Sequence, residues 1–193
     1  MRAWLNRLRR ALANALLYRR VFGERSQRRW LPNTRISPAT SIEHEDRLAL
    51  GDHVYIGPFN WLEASAGITI GEGVQITSHC SIVTHSSHRA MRLLGREYVN
   101  WQGDKPGWIA GPVRIGAYSF VGPHSLIEAN TTLGCGTLVC AGSAVRGEFP
   151  DFAVLAGRPA QVVGDTRRTD AALLEAHPEL RAHYERWAGE TPK

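Results

Sequence analysis

The chain has 193 residues, of which 43% are hydrophobic and 21% charged, so one domain with a continuous core is the simplest organisation. All apolar runs are shorter than the roughly 18–20 residues of a transmembrane helix. The N-terminus lacks the uninterrupted apolar stretch of a secretory signal. Three cysteines, an odd number, argue against a disulfide framework and for a reducing compartment. We therefore expect a cytoplasmic protein.

The formal net charge of +5 is unevenly distributed along the chain. Residues 1–30 contain nine arginines and one acid, a net +8, which leaves −3 for residues 31–193. A basic protein is a candidate for nucleic-acid binding. The mildly acidic body and the lack of a zinc-finger or RNA-recognition motif argue against that class. We expect no nucleic-acid partner.

Residues 1–34 form a basic leader. Arginines alternate there with apolar residues at helical spacing, which predicts an amphipathic helix with the apolar positions Trp4, Leu5, Leu8, Ala11, Leu12, Ala15 and Leu16. Two roles are open. The leader packs on the protein's own body or a neighbouring subunit, or it lies on an anionic membrane surface such as the inner membrane face.

From Leu50 onwards the hydrophobic period is six residues. Its aliphatic positions are Leu50, Ile56, Leu62, Ile70, Ile76, Ile82, Ile115, Val121, Ile127, Leu133, Val139 and Val145. The spacing is two residues longer after Leu62, and the repeat is interrupted after Ile82. Four places after each aliphatic position stands mostly a small or β-branched residue, expected at a corner: Val54, Asn60, Ala66, Val74, Cys80, Ser86, Ser119, Ser125, Thr131, Thr137 and Ser143.

Six residues make one short strand and one turn, so three hexapeptides close a triangular coil of about 18 residues. A weaker pair, Ile36 and Ile42, adds most of another coil. The period therefore predicts an all-β solenoid over residues 35–165. The last segment, residues 166–193, returns to helical spacing and is expected to pack as a helical element.

The repeat and its ending resemble the hexapeptide-repeat acyltransferase superfamily. The ending is Ala141-Gly142-Ser143 within Val139–Val145, followed by Gly157-Arg158-Pro159-Ala160. The resemblance implies a left-handed parallel β-helix, a homotrimer and acetyl transfer from acetyl-CoA, with no metal. In the similar sugar O-acetyltransferases and xenobiotic acetyltransferases the acceptor is a hydroxyl or an amine of a carbohydrate or small molecule. A sugar of a polysaccharide is the acceptor we expect.

The interruption at residues 88–108 does not fit in a coil and is expected to loop outward. His85 and His88 lie where it leaves the repeat. Imidazole titrates near neutral pH, so it can take a proton from an attacking hydroxyl and pass it to a departing thiolate. The resemblance implies a catalytic histidine here: His88 by the spacing of the xenobiotic enzymes, with His85 as the alternative. Cys80, Cys135 and Cys140 fall within the repeat and are interpreted as packing residues, so direct transfer is expected.

The resemblance also implies where acetyl-CoA binds. The pantetheine arm lies along the groove between coils of two subunits, beside Phe120, Ala141, Gly142, Arg146, Gly147 and Gly157. Gln161 and Gly164 stand where some sugar acetyltransferases have cofactor-binding arginines. The phosphates are therefore assigned to Arg158, Arg167 and Arg168, whose guanidinium groups suit phosphate.

Two other functions remain as alternatives. A zinc protein similar to the γ-type carbonic anhydrases would hold its metal with histidines such as His79, His85, His88 and His124. Their spacing matches only one of the two intervals of that family. The other alternative is a non-catalytic β-helix scaffold, which would not require the interruption and its histidines.

Overall fold

The computed structural model describes residues 2–18 and 21–189, so Arg19 and Arg20 of the leader and residues 190–193 of the C-terminal segment lie outside the described residues. Its four α-helices are α1 (Arg2–Ala13), α2 (His88–Leu94), α3 (Arg167–Ala176) and α4 (Arg181–Ala188). A π-helical segment follows α1 at Asn14–Tyr18, and 3₁₀ turns occupy Glu45–Arg47, Gly95–Tyr98 and Pro178–Leu180. No helix in this described part is both long and apolar enough to cross a bilayer.

The strands are short, as six-residue repeats require. In chain order they are β1 (Glu24–Ser26), β2 (Arg29–Leu31), β3 (Arg35–Ile36), β4 (Ser41–Glu43), β5 (Leu48–Leu50), β6 (Tyr55–Ile56), β7 (Trp61–Glu63), β8 (Ile68–Ile70), β9 (Gln75–Ile76), β10 (Ser81–Val83), β11 (His85–Ser86), β12 (Ile109–Ala110), β13 (Val113–Ile115), β14 (Phe120–Val121), β15 (Leu126–Ile127), β16 (Thr131–Leu133), β17 (Leu138–Val139), β18 (Ala144–Val145), β19 (Glu148–Phe149), β20 (Ala153–Gly157) and β21 (Ala160–Asp165).

The strands stack into three faces of a left-handed parallel β-helix, which confirms the predicted fold class. The first face orders β3-β6-β9-β14-β17-β20-β21, the second β4-β7-β10-β15-β18 and the third β5-β8-β13-β16-β19. All pairs within these faces are parallel except β20 with β21, whose antiparallel pairing ends the first face. The register places each repeat aliphatic on the one in the coil below, as Ile56 on Ile76 and Ile76 on Val121.

The core is the column of repeat aliphatics inside the coils. All twelve predicted positions are buried, with exposed fractions between 0% and 8%. Fully burying one such side chain stabilises the fold by about 1.5–3 kcal/mol. Ile36 and Ile42 are partly buried and pack against the same core.

The corner between the second and third faces departs from the prediction. Ala66 and Ser86, expected inside, are half-buried, and Ala64 and Thr84 are fully buried in their place. The repeat has two extra residues after Leu62, and they widen this corner. The residue that points inward is therefore Ala64 in one coil and Thr84 in the next. The wide corner is where the chain leaves the coils.

Residues 85–110 form an excursion from the β-helix. Strand β11 leaves and β12 returns beside it in antiparallel pairing, with His85 opposite Ala110. Between them lie α2 and the 3₁₀ turn Gly95–Tyr98. The base of the excursion is thus a two-stranded ribbon that holds its ends together.

The N-terminal coil is closed by the hairpin of β1 and β2. Ser26 Oγ donates to the carbonyl of Leu48 and accepts from the amide of Leu50, both at 2.9 Å, and Leu31 is buried in the core. Residues 24–31 of the predicted helical leader therefore belong to the body. Helix α1 is amphipathic as expected, yet none of its residues is buried.

At the other end, α4 packs through aromatic rings. Trp187 lies 4.6 Å from Tyr118 and 5.8 Å from Phe152, centroid to centroid. Leu174 of α3 is buried. The C-terminal helices cover the last coils.

Candidate active site

A cleft of about 360 Å³ opens between the excursion and the second face of the β-helix. Strands β7, β10, β15 and β18 supply one wall, and β11, α2 and β12 supply the other. The lining residues are Trp61, Val83, His85, Ser86, His88, Ile109, Leu126, Glu128, Ala129 and Arg146. The cleft therefore brings together three of the predicted site residues, His85, His88 and Arg146.

His85 is bound to a buried carboxylate. Its Nδ1 lies 2.8 Å from Oε2 of Glu63, whose side chain is 2% exposed, and 3.1 Å from Oγ of Ser65. Glu63 ends β7 at the wide corner, and His85 follows the inner residue Thr84 one coil above. The extra residues of that corner thus make room for the carboxylate next to the exit of the excursion.

The Glu63 carboxyl is ionised over the physiological pH range. Burial alone would raise its pKa, but hydrogen bonds from Ser65 and Thr84 outweigh this and lower the pKa to about 2. The Ser65 amide donates to Oε1 at 2.9 Å, and the Thr84 amide donates to Oε2 at 3.1 Å. The charge is therefore held in place by the backbone of the corner.

The contact with Glu63 determines which nitrogen of the His85 ring carries the hydrogen. An ionised carboxylate only accepts hydrogen bonds, so Nδ1 of His85 carries the hydrogen that faces Glu63. In the neutral ring Nε2 then holds the lone pair. Among residues 2–18 and 21–189, none is hydrogen-bonded to that Nε2. His85 can thus accept a proton in the cleft while Glu63 stabilises the imidazolium that results.

The His85 ring is also fixed by stacking. Trp108 lies parallel to it, with centroids 4.8 Å apart and planes within 9°. Tyr98 stacks on the indole at 6.5 Å, and the Lys105 ammonium lies 5.1 Å from the Tyr98 centroid. These contacts form a column of partly exposed rings that ends on the imidazole.

His88 has a different environment. It begins α2, is exposed, and its Nδ1 lies 2.7 Å from the hydroxyl of Ser86. A hydroxyl can donate or accept, so this contact does not assign the hydrogen to either ring nitrogen. His88 lines the same cleft, and no carboxylate of the described residues pairs with its ring.

The far wall of the cleft carries opposite charges and an indole. Arg146, directly after β18, is exposed, and Glu128, directly after β15, is half-buried. Trp61, 42% exposed, donates from Nε1 to Oε1 of Glu43 at 3.0 Å. Polar groups and an aromatic face thus surround the two histidines.

The predicted cofactor residues other than Arg146 lie elsewhere. Ala141, Gly142 and Arg158 meet at one corner, where the Arg158 guanidinium donates to the carbonyls of Gly142 and His124. Phe120 stands on the first face with 39% of its side chain exposed. Gly147 and Gly157 adopt positive φ, at 120° and 108°. This set therefore outlines the corners and the outer face of the later coils.

Arg167 and Arg168 line a separate cleft of about 480 Å³ at the C-terminal end. The Arg167 guanidinium is already paired with the Asp165 carboxylate and stacks 4.8 Å over the Phe152 ring. Arg168 is exposed and makes no ion pair among the described residues, although its charge adds to the hydrogen bonds from Arg167 in lowering the pKa of Asp165. Of the two, Arg168 is the one available to a phosphate.

The cysteines and the remaining histidines lie apart from the cleft pair. Cys80 is buried, and burial raises the pKa of its thiol, which suits a packing residue. His79 and His124 stack at 4.9 Å, away from the two cleft histidines. Within the described residues of one chain, no three or more His, Cys, Asp or Glu side chains are grouped to hold a metal ion.

Sequence reasoning missed Glu63. Its signal was an acidic residue directly before the two-residue slip, at a repeat position that is glycine in six of the twelve hexapeptides. The sequence places Trp108 only within the interruption. Its contact with His85 depends on the return path of the excursion, which the repeat does not encode.

The fold and the cleft define a hexapeptide-repeat β-helix protein with a histidine site beside an excursion. No model of a known protein family matches the sequence. It is similar to a probable acetyltransferase of Mycobacterium tuberculosis, 30% identical over 139 residues, covering 72% of this chain and 44% of that protein. It is also similar to the galactoside O-acetyltransferase of Escherichia coli, 24% identical over 140 residues, covering 72% of this chain and 64% of that one. The chain thus spans less than two thirds of either relative.

A solved structure shows the same fold. The hexapeptide-repeat acetyltransferase of Vibrio cholerae in complex with acetyl-CoA superposes with a TM-score of 0.61 at 23% identity, covering 83% of this chain and 78% of that one. The resemblance to the hexapeptide-repeat acyltransferase superfamily that the sequence motifs indicated is thus supported by similar acetyltransferases and by the shared fold.

Proposed function

We propose that the protein transfers an acetyl group from acetyl-CoA to a hydroxyl group of a carbohydrate or other small acceptor, with an amine as the alternative nucleophile. The single observation that carries the proposal is the Glu63–His85 pair in the cleft, which provides an ionised partner for Nδ1 and a lone pair on Nε2. The names of the relatives, acetyltransferases in both cases, support the acyl group, and the acetyl-CoA complex of the Vibrio cholerae protein supports the donor.

The proposed reaction is direct. His85 Nε2 takes the proton of the acceptor hydroxyl as its oxygen attacks the thioester carbonyl carbon. The carbon–sulfur bond then breaks, and the imidazolium returns the proton to the thiolate of coenzyme A. Glu63 holds the ring in one tautomer and balances its positive charge during both steps. Both histidines remain candidates for the base, and the geometry favours His85 because only it has a carboxylate partner.

The proposed binding arrangement uses a homotrimer. The corner with Ala141, Gly142 and Arg158 and the exposed ring of Phe120 would receive the pantetheine arm between two subunits. Arg168 would reach the phosphates, and Arg167 would do so only by leaving Asp165. Light scattering after gel filtration tests the trimer, for which we expect about three times the 21.4 kDa chain mass.

The activity is tested by thiol release from acetyl-CoA in the presence of sugar, amino-acid and aminoglycoside acceptors. We expect acceptor-dependent release with at least one hydroxyl acceptor, and mass spectrometry of the product should show one acetyl group on oxygen. A product acetylated only on nitrogen would move the proposal to the amine alternative. Release that is absent from every acceptor while the trimer binds acetyl-CoA would favour a scaffold.

A further inference from the structure

We propose that the leader helix, Arg2–Ala13 together with its continuation to Leu16, binds the surface of an anionic lipid bilayer. The proposal is independent of the acetyl-transfer activity. It begins from the fact that no residue of α1 is buried against the body. Packing on the protein's own β-helix, one of the two roles expected from the sequence, is therefore not what the single chain does.

The apolar side of the helix is large and continuous. It consists of bulky residues at intervals of three and four, each between 42% and 75% exposed: Trp4, Leu5, Leu8, Leu12 and Leu16. At 100° per residue they fall within an arc of about 120°. A face of this size in water costs free energy that burial in a partner recovers.

The remaining side of the helix selects the partner. Arg2, Arg7, Arg9 and Arg10 occupy it, and residues 2–18 contain no acidic residue. An anionic bilayer accepts the apolar arc below its headgroups and the arginines among them. Nucleic acid would neutralise the arginines but leave the leucines in water.

A second copy of the same helix fits less well. Pairing two leaders along their leucines would bring four arginines of each copy together, with no glutamate or aspartate on either helix to offset them. The same combination of apolar and basic groups continues towards the N-terminal coil. It consists of the exposed apolar residues Val21 and Phe22 and of Arg25 and Arg28 in the hairpin.

The test is flotation of the full-length protein with vesicles of phosphatidylcholine alone or with about 30% phosphatidylglycerol. We expect binding to the anionic vesicles only. In the triple variant Arg7→Gln, Arg9→Gln, Arg10→Gln, the partition coefficient should fall roughly 100-fold, because each arginine near an anionic surface contributes a factor of about five. In Leu8→Gln, Leu12→Gln the fall should be of the same order. Glutamine keeps helix propensity high in both variants.

The matched control is Leu173→Gln, Leu180→Gln, which changes two exposed leucines of the C-terminal segment and should float like the wild type. Equal flotation of the wild type and both leader variants would overturn the proposal. So would equal binding to neutral and anionic vesicles. A loss of the wild-type oligomer mass in the leader variants, with no lipid binding by the wild type, would identify a neighbouring subunit as the partner instead.

Discussion

Nδ1 of His85 lies 2.8 Å from a carboxylate oxygen of Glu63, although the two residues are 22 positions apart and belong to successive coils. The pair exists because the β-helix stacks the corner after β7 directly under the corner after β10. A buried carboxylate facing the inner nitrogen of an imidazole leaves on the outer nitrogen the lone pair that a general base requires. The contact therefore links a detail of the repeat to the chemistry of the cleft.

Substitution of the two histidines separates their roles. We expect His85→Ala to lower kcat by on the order of 100-fold or more, the usual contribution of a general base. His88→Ala should lower kcat by less than about tenfold, because His88 lines the cleft without a carboxylate partner. Initial rates of thiol release at saturating acetyl-CoA measure both. The reverse order of the two losses would assign the base to His88.

The Glu63 carboxylate should contribute to stability in a pH-dependent way. Its pKa in the folded protein, about 2, is below the value of an unfolded glutamate, so its ionised form stabilises the fold above about pH 4.5. That contribution, up to about 3 kcal/mol, is lost as the pH falls from about 4.5 to 2. In urea unfolding, Glu63→Gln should therefore be less stable than the wild type at pH 7 and nearly equal to it at pH 2.

The control for that experiment is Glu148→Gln, which changes an exposed glutamate on β19. Its unfolding free energy should match the wild type at both pH values. A Glu63→Gln deficit that is the same at pH 7 and pH 2 would mean that packing, and not the charge, accounts for the loss.

The coils could be predicted from the sequence because each inward position is set locally. An aliphatic residue such as Ile76 points inward wherever the six-residue period holds, and all twelve such residues are buried. The site could be predicted only in part. The break in the repeat indicates His85 and His88, but Glu63 becomes a partner of His85 only after two coils are stacked. Trp108 contacts His85 because of the path that the excursion takes outside the coils. The six-residue repeat does not determine that path.

Stacking by Trp108 should matter for turnover more than for donor binding. Trp108→Leu removes the flat contact with the imidazole, so we expect kcat to fall by about tenfold with the KM for acetyl-CoA unchanged. Trp108→Phe keeps an aromatic face there and should recover much of the rate. Steady-state kinetics of both variants make the comparison.

Trp101→Leu is the matched control, because Trp101 is a similarly exposed indole of the excursion that bonds to the Asp104 carbonyl and not to His85. Its kcat should stay within about twofold of the wild type. Equal losses in Trp101→Leu and Trp108→Leu would show that folding of the excursion, and not the ring contact, controls the rate.

The phosphate end of acetyl-CoA can be located with arginine variants. We expect Arg168→Gln to raise the KM for acetyl-CoA by about tenfold while leaving kcat unchanged, since a charge-assisted contact to phosphate is worth about 1.5 kcal/mol or more. Arg114→Gln, an exposed arginine on β13, serves as the control and should leave KM unchanged. If instead Arg146→Gln raises KM and Arg168→Gln does not, the phosphates lie near the histidine cleft.

The glycines of the repeat should be required where coils touch. A Cβ on Gly116 would lie 2.4 Å from the amide nitrogen of Cys135 in the next coil, and backbone atoms cannot move aside one at a time. Gly116→Ala should therefore lower the free energy of unfolding by about 1–3 kcal/mol or more. In Gly164→Ala the nearest atoms, those of the Val154 side chain, are 3.5 Å or more away, so thermal unfolding should be nearly unchanged. Equal melting temperatures for the two variants would mean that the coils can separate at that corner without cost.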